Sequence, residues 1–490
     1  MKIKMKSISY LYYLLLPLLL LGASASLRAQ DPMALYFMET VPQTSRINPA
    51  FQPRANGFVS LPASVGVDFR SGLSVKDIFQ KHGDRWYLPI ERQYDYKKLY
   101  KSIGRKATMI NARVEWDLLG FGFRTGKGYV TFGVSEHVVG VSSLPSDLFK
   151  ISETGFPDNT RLDFSPMRIH AMAYKQILIG YSHPINEKLT IGVNLKPLFG
   201  QVAATTKIRT FSIKTGLNEW SVEVEGDAYT SLPATMTEDE DGDLKEFEFQ
   251  DDLETADYIS KYAGFSNPGF AVDLGAVYAF TERLSVSAAL NNLGFISWKQ
   301  DLNGVSFRGQ YAFKGIEYNT ADDDDIDNAW EALGDSLKNV IYFGTQHKKF
   351  KTALTPSLYL GASYRLTPAI SVGLLSRSVF WKKAFHQSFN LSLNLQPYSF
   401  VSFNIGINTQ IKGNTYFGTG FSLFLGPLQF YLISDYLPIR YSTLTLDGDK
   451  IPFVPERQKE ITIRTGLNLV FGKHGYVNSA MLEKRANQWK

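Results

Sequence analysis

The part of the sequence that comes nearest to a metal site is an acidic tract. Asp239, Asp241 and Asp243 present carboxylates at alternate positions, as at the start of a calcium-binding loop. Such a loop also needs glycine at its sixth position and glutamate at its twelfth. Leu244 and Gln250 stand there instead. The tract therefore predicts a solvated acidic loop, with a calcium site as the weaker alternative.

Motifs for catalysis or for a cofactor are absent from the sequence. It has no nucleophile motif, phosphate-binding loop or dinucleotide fingerprint. Its seven histidines lack the paired spacing of metal ligands; they are His82, His137, His170, His183, His347, His386 and His474. Since no serine, histidine and acidic residue share a catalytic spacing, we expect neither an enzyme nor a bound cofactor.

The N-terminus has the pattern of a secretory leader. Lys2, Lys4 and Lys6 precede an apolar run at 8–22, which is short for a membrane span. Small residues follow, so we predict a signal peptide at 1–29, cleaved after Ala29, or after Ala25 as the alternative. Its removal leaves 48 basic against the 47 acidic residues, which gives no reason to expect nucleic-acid binding. The sequence has no cysteine for a disulfide or a lipid anchor.

Strict alternation of apolar and polar residues dominates the rest of the chain. It is clearest at 389–408, where Leu391 and Leu393 alternate with Asn390 and Asn394 before a turn at 396–398. Period two predicts a β-hairpin whose two faces meet different surroundings. A soluble sheet has the same pattern, and the slightly negative mean hydropathy does not decide, since the two faces of a transmembrane barrel cancel in the average.

The turns favour a barrel. Short turns at 125–128, 184–188, 281–283, 366–369, 396–398 and 425–427 alternate with longer connections, chiefly 71–107, 201–267 and 299–353. This asymmetry is typical of outer-membrane barrels, which are short-looped on the periplasmic side. Aromatic residues gather beside the short turns, as at a membrane interface, although a soluble sandwich also favours aromatics at strand ends; they are Phe121, Phe123, Tyr181, Tyr278, Phe280, Tyr364, Tyr398 and Phe400.

We therefore predict an all-β fold, a transmembrane antiparallel β-barrel of about fourteen strands over 57–472 with long extracellular loops. Fourteen requires 206–229 and 305–316 to be extracellular extensions of the sheet, and twelve or sixteen strands stay open. Residues 30–56 show no alternation and are predicted to plug the lumen, while 473–490 form a periplasmic tail. Polar strand positions are predicted to line the lumen: Asp273, Asn291, Arg365, Arg377, Asn390, Asn394, Asn404 and Arg464.

Three segments carry a family resemblance. Tyr-Phe-Met at 36–38 with Arg-Ile-Asn-Pro-Ala-Phe at 46–51, the run at 292–298 and the ending at 466–472 resemble FadL-like and PorV-like outer-membrane barrels of the Bacteroidota type. The resemblance implies an N-terminal hatch, which would place Asn48, Pro49, Ala50 and Phe51 in the plug. It covers the architecture of the mature chain, but no substrate-pocket motif matches.

Two functions follow from the resemblance. FadL-like barrels take up small hydrophobic molecules passively, whereas PorV-like barrels act as partners in type IX secretion. We expect the first, in the outer membrane of a Gram-negative bacterium, with outer-membrane lipid and small hydrophobic ligands as partners. The alternative is a scaffold without transport, whose long loops hold a secretion or surface protein.

Overall fold

The structure is a computed structural model that describes residues 32–82, 85–87, 94–103, 107–154, 158–217, 219–238, 244–249, 265–313, 342–381, 384–411, 415–437, 441–446, 449–455 and 459–472. The predicted signal peptide, the aspartates of the acidic tract and the C-terminal tail lie outside these ranges. A 3-10 helix spans Met33–Phe37, and α-helices span Thr44–Ile47, Val75–Ile78, Tyr96–Ser102 and Ser146–Thr154. None of the described helices is long and apolar enough to cross a membrane.

Strands dominate the described ranges. Numbered in chain order, they are β1 Gly57–Ser60, β2 Ser64–Ser71, β3 Gln80–His82, β4 Arg85–Tyr87, β5 Ala107–Thr125, β6 Gly128–Pro145, β7 Arg161–Asp163, β8 Arg168–Pro184, β9 Leu189–Lys214, β10 Trp220–Ser231, β11 Ala234–Glu238, β12 Leu244–Phe249, β13 Pro268–Ala279, β14 Leu284–Trp298, β15 Leu302–Phe313, β16 Tyr342–Gln346, β17 Phe350–Ala353, β18 Ser357–Thr367, β19 Ile370–Trp381, β20 Ala384–Tyr398, β21 Val401–Gln410, β22 Thr415–Leu425, β23 Leu428–Ser434, β24 Tyr441–Leu446, β25 Asp449–Pro455 and β26 Glu460–Phe471.

The barrel is one closed antiparallel sheet with fourteen strand positions. β1 and β2 share the first position, and β17 and β18 share the eighth. β5, β6, β8, β9, β13, β14, β19, β20, β21, β22, β23 and β26 occupy the others. β26 pairs with β23 on one side and with β1 and β2 on the other. The sheet therefore has no free edge in the barrel, as a lipid environment requires, and the predicted fold class is confirmed.

The barrel sheet continues beyond the long-loop end of the barrel. The far half of β9 pairs with β10, β10 with β15, and β15 with β16. The sequence predicts a strand from Leu189 to Gly200 followed by a connection at 201–267, but β9 runs on to Lys214. The partner β10 supplies ladder hydrogen bonds to that half, so the strand has no reason to end at Gly200. β10 pairs with the far half of β9, and β15 pairs with β10, so neither takes a position in the barrel. The barrel therefore has fourteen positions and not sixteen.

Two further predicted boundaries are wrong, and proline explains both. The sequence predicts one strand from Phe58 to Arg70, but the strand is broken between Ser60 and Ser64, where Pro62 offers no N–H to the ladder. The turn of the 389–408 hairpin lies at 399–400, because β20 continues to Tyr398. The register shifts between Leu395 and Tyr398, so 396–397 form a bulge at Pro397.

The two faces of the 389–408 hairpin meet different surroundings, as predicted. Leu391 and Ile405 are 53% exposed, whereas Asn390 and Asn404 are fully buried. The exposed face of the barrel carries apolar side chains, and its inner face is predominantly polar. Aromatics beside the short turns, including Tyr398 and Phe280, are also exposed on the outer face. This distribution fits a barrel surrounded by lipid.

Candidate functional site

The lumen is occupied by residues 32–56, the N-terminal segment. Met33, Leu35, Val41 and Ile47 of this segment are completely buried. They pack against inward-facing side chains of β14, β18, β19 and β23, namely Ala289, Tyr359, Leu375, Tyr431 and Ile433. The rings of Tyr36 and Tyr359 are stacked, 5.8 Å apart. The segment therefore has its own apolar core, which is completed by the barrel wall.

The Asn48-Pro49-Ala50 turn fits against a glycine notch in that wall. Gly192 of β9 and Gly275 of β13 are paired across the two strands. A Cβ atom at Gly192 would overlap the Pro49 carbonyl group, and one at Gly275 would overlap the Asn48 side-chain oxygen. Only glycine lets the backbone approach this closely.

The turn is also held from within the segment. Asn48 Oδ1 accepts a hydrogen bond from the Ala50 N–H at 3.0 Å, and Asn48 Nδ2 donates to the Tyr36 hydroxyl at 3.2 Å. Phe51 packs edge-on against Tyr36, with ring centroids 5.0 Å apart. The four residues singled out in the sequence thus form one compact unit with Tyr36.

A polar layer on β9, β13 and β14 holds the backbone of the segment. Asn291 Nδ2 donates to the Ile47 carbonyl at 2.7 Å, and Asn194 Nδ2 donates to the Ser45 carbonyl at 3.3 Å. Beside them the Lys196 ammonium group lies 2.6 Å from the Asp273 carboxylate, and both are buried. Carbonyl groups that a helix or strand would satisfy internally are satisfied here by the wall.

Arg46 provides the charged contact of the segment with the wall. Its guanidinium group binds the Asp117 carboxylate and lies 3.2 Å from Glu115 Oε1. Glu115 also lies 2.7 Å from Arg464 and 3.1 Å from Arg113. A buried carboxylate is stable only when it is paired in this way. Sequence reasoning selected Arg464 but missed Arg46 and Glu115, since their partners are far away in the chain.

Ser135, His137 and Glu115 resemble a hydrolytic triad in outline, because Ser135 Oγ lies 2.9 Å from His137 Nε2. His137 Nδ1, however, is 3.9 Å from Glu115 Oε2, beyond hydrogen-bond range. Arg113 Nη2 is closer to Nδ1, at 3.5 Å, and a guanidinium group can only donate. Nε2 then carries the ring proton and donates it to Ser135. The ring cannot act as a base toward that serine.

Asp435, directly after β23, holds the start of the segment. The Asp435 carboxylate accepts hydrogen bonds from the backbone N–H groups of Met33 and Ala34. Asn408 Nδ2 donates to the Asp435 carbonyl at 2.7 Å, and Asn390 Nδ2 donates to Asn408 at 2.7 Å. A chain of amides on β20 and β21 therefore positions the aspartate.

The remaining predicted lumen positions are Arg365, Arg377, Asn394 and Asn404. Arg377 is fully buried on β19, and Asn404 Nδ2 donates to Asn394 Oδ1 at 2.6 Å. Arg365 lies at the short-turn end of β18, beside a cavity that Asn394 also borders. In the part of the chain that the structure describes, no three acidic or histidine side chains are grouped to hold a metal ion.

An apolar cluster lies on the inner wall toward the long-loop end. It consists of Met172, Tyr174, Leu198, Ala203, Ala271, Ile296, Trp298 and Leu354. The Trp298 ring covers Gly200, and its Nε1 donates to Thr352 Oγ1 at 2.9 Å. Along β9, the apolar Leu198 is followed by Lys196 and Asn194 and then by the glycine notch. From the long-loop end toward the short turns, the lumen thus contains first the apolar cluster, then a charged layer, and then the N-terminal segment.

Two small cavities border the N-terminal segment. One, of about 20 Å³, lies in the charged layer between Arg46, Glu115, His137 and Lys196. The other, of about 40 Å³, lies at the short-turn end. By the same measure a water molecule needs roughly 10–15 Å³, so the first cavity has room for one water and the second for a few.

Residues 49–435 match a family of unknown function, DUF5723. This match covers most of the 490 residues. The chain belongs to this family. The DUF5723 match begins at Pro49 in the glycine notch and ends at Asp435, which binds the start of the N-terminal segment. No curated protein matches the sequence.

Solved barrels are similar to this DUF5723 chain at low identity. The toluene transporter TbuX of Ralstonia pickettii has 9% identity and a TM-score of 0.42, covering 89% of this chain and 95% of that chain. The toluene transporter TodX of P. putida has 10% identity and a TM-score of 0.40, covering 92% and 97%. The translocator domain of NalP from Neisseria meningitidis has 6% identity and a TM-score of 0.31, covering 86% and 90%. The fourteen strands around the lumen are shown by the strand pairing of this chain itself.

Proposed function

We propose that this protein is an outer-membrane barrel for passive uptake of small hydrophobic molecules, and that the N-terminal segment is its plug. The observation that carries the proposal is the apolar cluster on the inner wall around Trp298 and Leu198. Lumens of open porins are polar and filled with water. The side chains of this cluster are buried against one another, so a passing molecule would have to part them, and an apolar lining favours an apolar molecule over ions and sugars.

Passage requires the plug to move. The cavity in the charged layer has room for one water, about 20 Å³, and it is lined by charged and amide groups. An apolar molecule therefore cannot cross this layer while Arg46 is bound to Glu115 and Asp117. The contacts of the segment with Gly192 and Gly275 are steric, whereas the contacts of Arg46 with Glu115 and Asp117 are ionic. Movement of the plug must therefore break these ion pairs.

A reversible covalent lock tests this function. Thr40 Oγ1 of the plug lies 2.8 Å from Ser402 Oγ on β21, a separation that two cysteine side chains can bridge. The chain has no cysteine of its own, so the double variant T40C/S402C forms one defined disulfide. Uptake is followed in Gram-negative cells by the fluorescence of N-phenyl-1-naphthylamine, which rises when the dye leaves water.

We expect cells with the native protein to take up the dye several times faster than cells without it. The oxidised double variant should fall to the background rate, and dithiothreitol should restore uptake. The single variant T40C is the control and should behave as native protein under both conditions. Equal uptake by cells with and without the protein, over a panel of apolar dyes, would refute the transport function.

A second function is favoured by the sheet outside the barrel. β9, β10, β15 and β16 extend the wall beyond the lumen, which transport of a small molecule does not require. Such a sheet suits a scaffold or a PorV-like secretion partner that holds another protein. Cross-linking in native outer membrane should then recover one stable partner, and the loss of that partner in a variant without 215–231 would locate the contact. Recovery of no partner would exclude this function.

A further inference from the structure

The larger of the two cavities lies at the short-turn end of the lumen, and we call it the mouth crevice. One wall is Phe37–Thr40 of the N-terminal segment, and the other is formed by the ends of β18, β19 and β20. Phe37 and Met38 supply an apolar side, and both are nearly buried. Arg54, Arg365, Asn394 and Gln396 supply the polar side.

Gln396 presents a hydrogen-bond donor without an acceptor. Arg54 Nη1 donates to Gln396 Oε1 at 2.6 Å, and because a guanidinium group can only donate, this contact fixes which end of the amide is oxygen. Gln396 Nε2 is then buried without a hydrogen-bond partner. The residue is only 7% exposed. An unsatisfied buried donor costs free energy unless a ligand or water binds it.

Asn394 presents a second donor to the same cavity. Its Oδ1 accepts from Asn404 Nδ2 at 2.6 Å, which leaves Asn394 Nδ2 buried and without a partner. The Arg365 guanidinium group borders the cavity as well. The acidic residue of the crevice, Glu39, is bound by Arg54 through Nε at 3.1 Å and through Nη2. Two amide donors and the Arg365 cation therefore line the cavity, and its carboxylate, Glu39, is already bound by Arg54.

We propose that the mouth crevice binds the carboxylate group of a small amphipathic molecule between Gln396, Asn394 and Arg365, with the apolar body of that molecule at the open side of the crevice. The volume of about 40 Å³ holds the three heavy atoms of a carboxylate group but not a ring as well, so the apolar body contacts the rim, where Pro368 is exposed. Arginine and amide N–H groups are the usual donors to carboxylate oxygens. A cation would meet positive charge there, and a neutral apolar molecule would leave both amides unsatisfied.

The site is complete only when the N-terminal segment is seated, because Phe37 and Met38 form one of its walls. Binding of the carboxylate therefore stabilises the seated segment. The site does not depend on the proposed transport, since a protein that moves nothing across the membrane would still bind the anion.

Equilibrium dialysis of the purified full-length protein in detergent tests the proposal with radiolabelled benzoate, benzyl alcohol and inorganic phosphate. We expect benzoate to bind at least about tenfold more tightly than the other two probes, because only benzoate has both the carboxylate and the apolar body. The variant Q396E keeps the oxygen that Arg54 binds but replaces the free N–H group with a second oxygen. It should weaken benzoate binding by at least about tenfold.

R365Q is a second variant that removes the charge without changing Gln396, and it should weaken benzoate binding as well. R283Q alters an exposed arginine in the neighbouring turn, outside the crevice, and should bind benzoate like the native protein. Folding of each variant is checked by heat modifiability. Equal binding of benzoate and benzyl alcohol, or unchanged benzoate binding in folded Q396E or R365Q, would overturn the proposal. Tighter binding of phosphate than of benzoate would do so too.

Discussion

At the scale of single residues, small side chains in the wall matter as much as charged ones. Gly192 and Gly275 admit the Asn48-Pro49-Ala50 turn, and Gly373 of β19 lies under the ring of Phe37. Each of these glycines faces inward at a point where a Cβ atom would overlap the N-terminal segment. These glycines make room for the segment because they have no side chain. Their replacement should therefore displace the segment and leave the hydrogen bonds of the barrel intact.

The variant Gly275→Ala tests the notch. The added methyl group would overlap the Asn48 side chain and crowd the Pro49 ring, and overpacking of this kind costs about 1–3 kcal/mol. We expect an intact barrel whose N-terminal segment is cut by an added protease faster than in the native protein. Gly140→Ala is the matched control on another strand, since nothing lies within 4 Å of its new atom. Equal cleavage rates in the two variants would contradict the role of the notch.

At the scale of elements, each strand separates lipid from lumen residue by residue. In β20, Leu393 points outward, and Asn394 points inward to its partner on β21. Leu393 stands five residues before Tyr398 of the interfacial aromatics. At about 3.3 Å per residue and a tilt of about 40°, this is about 13 Å along the barrel axis, half of an apolar band about 25 Å tall. Leu393 therefore lies near the middle of the membrane.

The pair of variants Leu393→Arg and Asn394→Asp tests this separation. An arginine facing lipid at mid-membrane should cost about 2–4 kcal/mol. An aspartate at 394 keeps an oxygen that can accept from Asn404 and lies beside Arg365, so it should cost far less. Denaturant titration in detergent, read by heat modifiability, measures both. If Asn394→Asp proved the less stable variant, the assignment of the two faces would be wrong.

At the scale of the whole molecule, the barrel and the N-terminal segment depend on each other unequally. The barrel closes through backbone hydrogen bonds among its own strands. The segment has one short 3-10 helix and a four-residue α-helix, and takes most of its contacts from the wall. Fourteen strands enclose a lumen wider than their own side chains can fill, because about eight strands suffice for that. Without the segment, the lumen should therefore hold water.

Deletion of 32–47 tests this dependence. We expect the shortened protein to form a barrel and to conduct ions in planar bilayers, whereas the native protein should be nearly closed because its charged layer has room for about one water. Single-channel recording measures both proteins. The variant Arg46→Met is the milder companion: it leaves Asp117 and Glu115 without their partner in the N-terminal segment and should open only briefly. A deletion variant that stays closed would show that other residues fill the lumen.

Much of the barrel was determined by the sequence alone, because its signals are local. Period two along each strand gave the lipid and lumen faces, and the short turns fixed which strands are neighbours. The inward position of Asn390 and Asn404 followed from the same period. The bulge at Pro397 was not predicted. Alternation indicates on which face of a strand a residue lies, but not where the hydrogen-bond ladder is interrupted.

What the tertiary structure alone decided is the site inside the lumen. Arg46 meets Glu115 at a separation of 69 residues, and Met33 meets Asp435 at 402. No local pattern selects such partners, because they depend on where fourteen strands and their shear place inward-facing side chains around one axis. The glycine notch is equally non-local: Gly192 and Gly275 become a docking surface only when β9 and β13 bring them side by side. The physical reason is that the period of a strand depends on consecutive residues, whereas packing across the lumen depends on closure of the whole sheet.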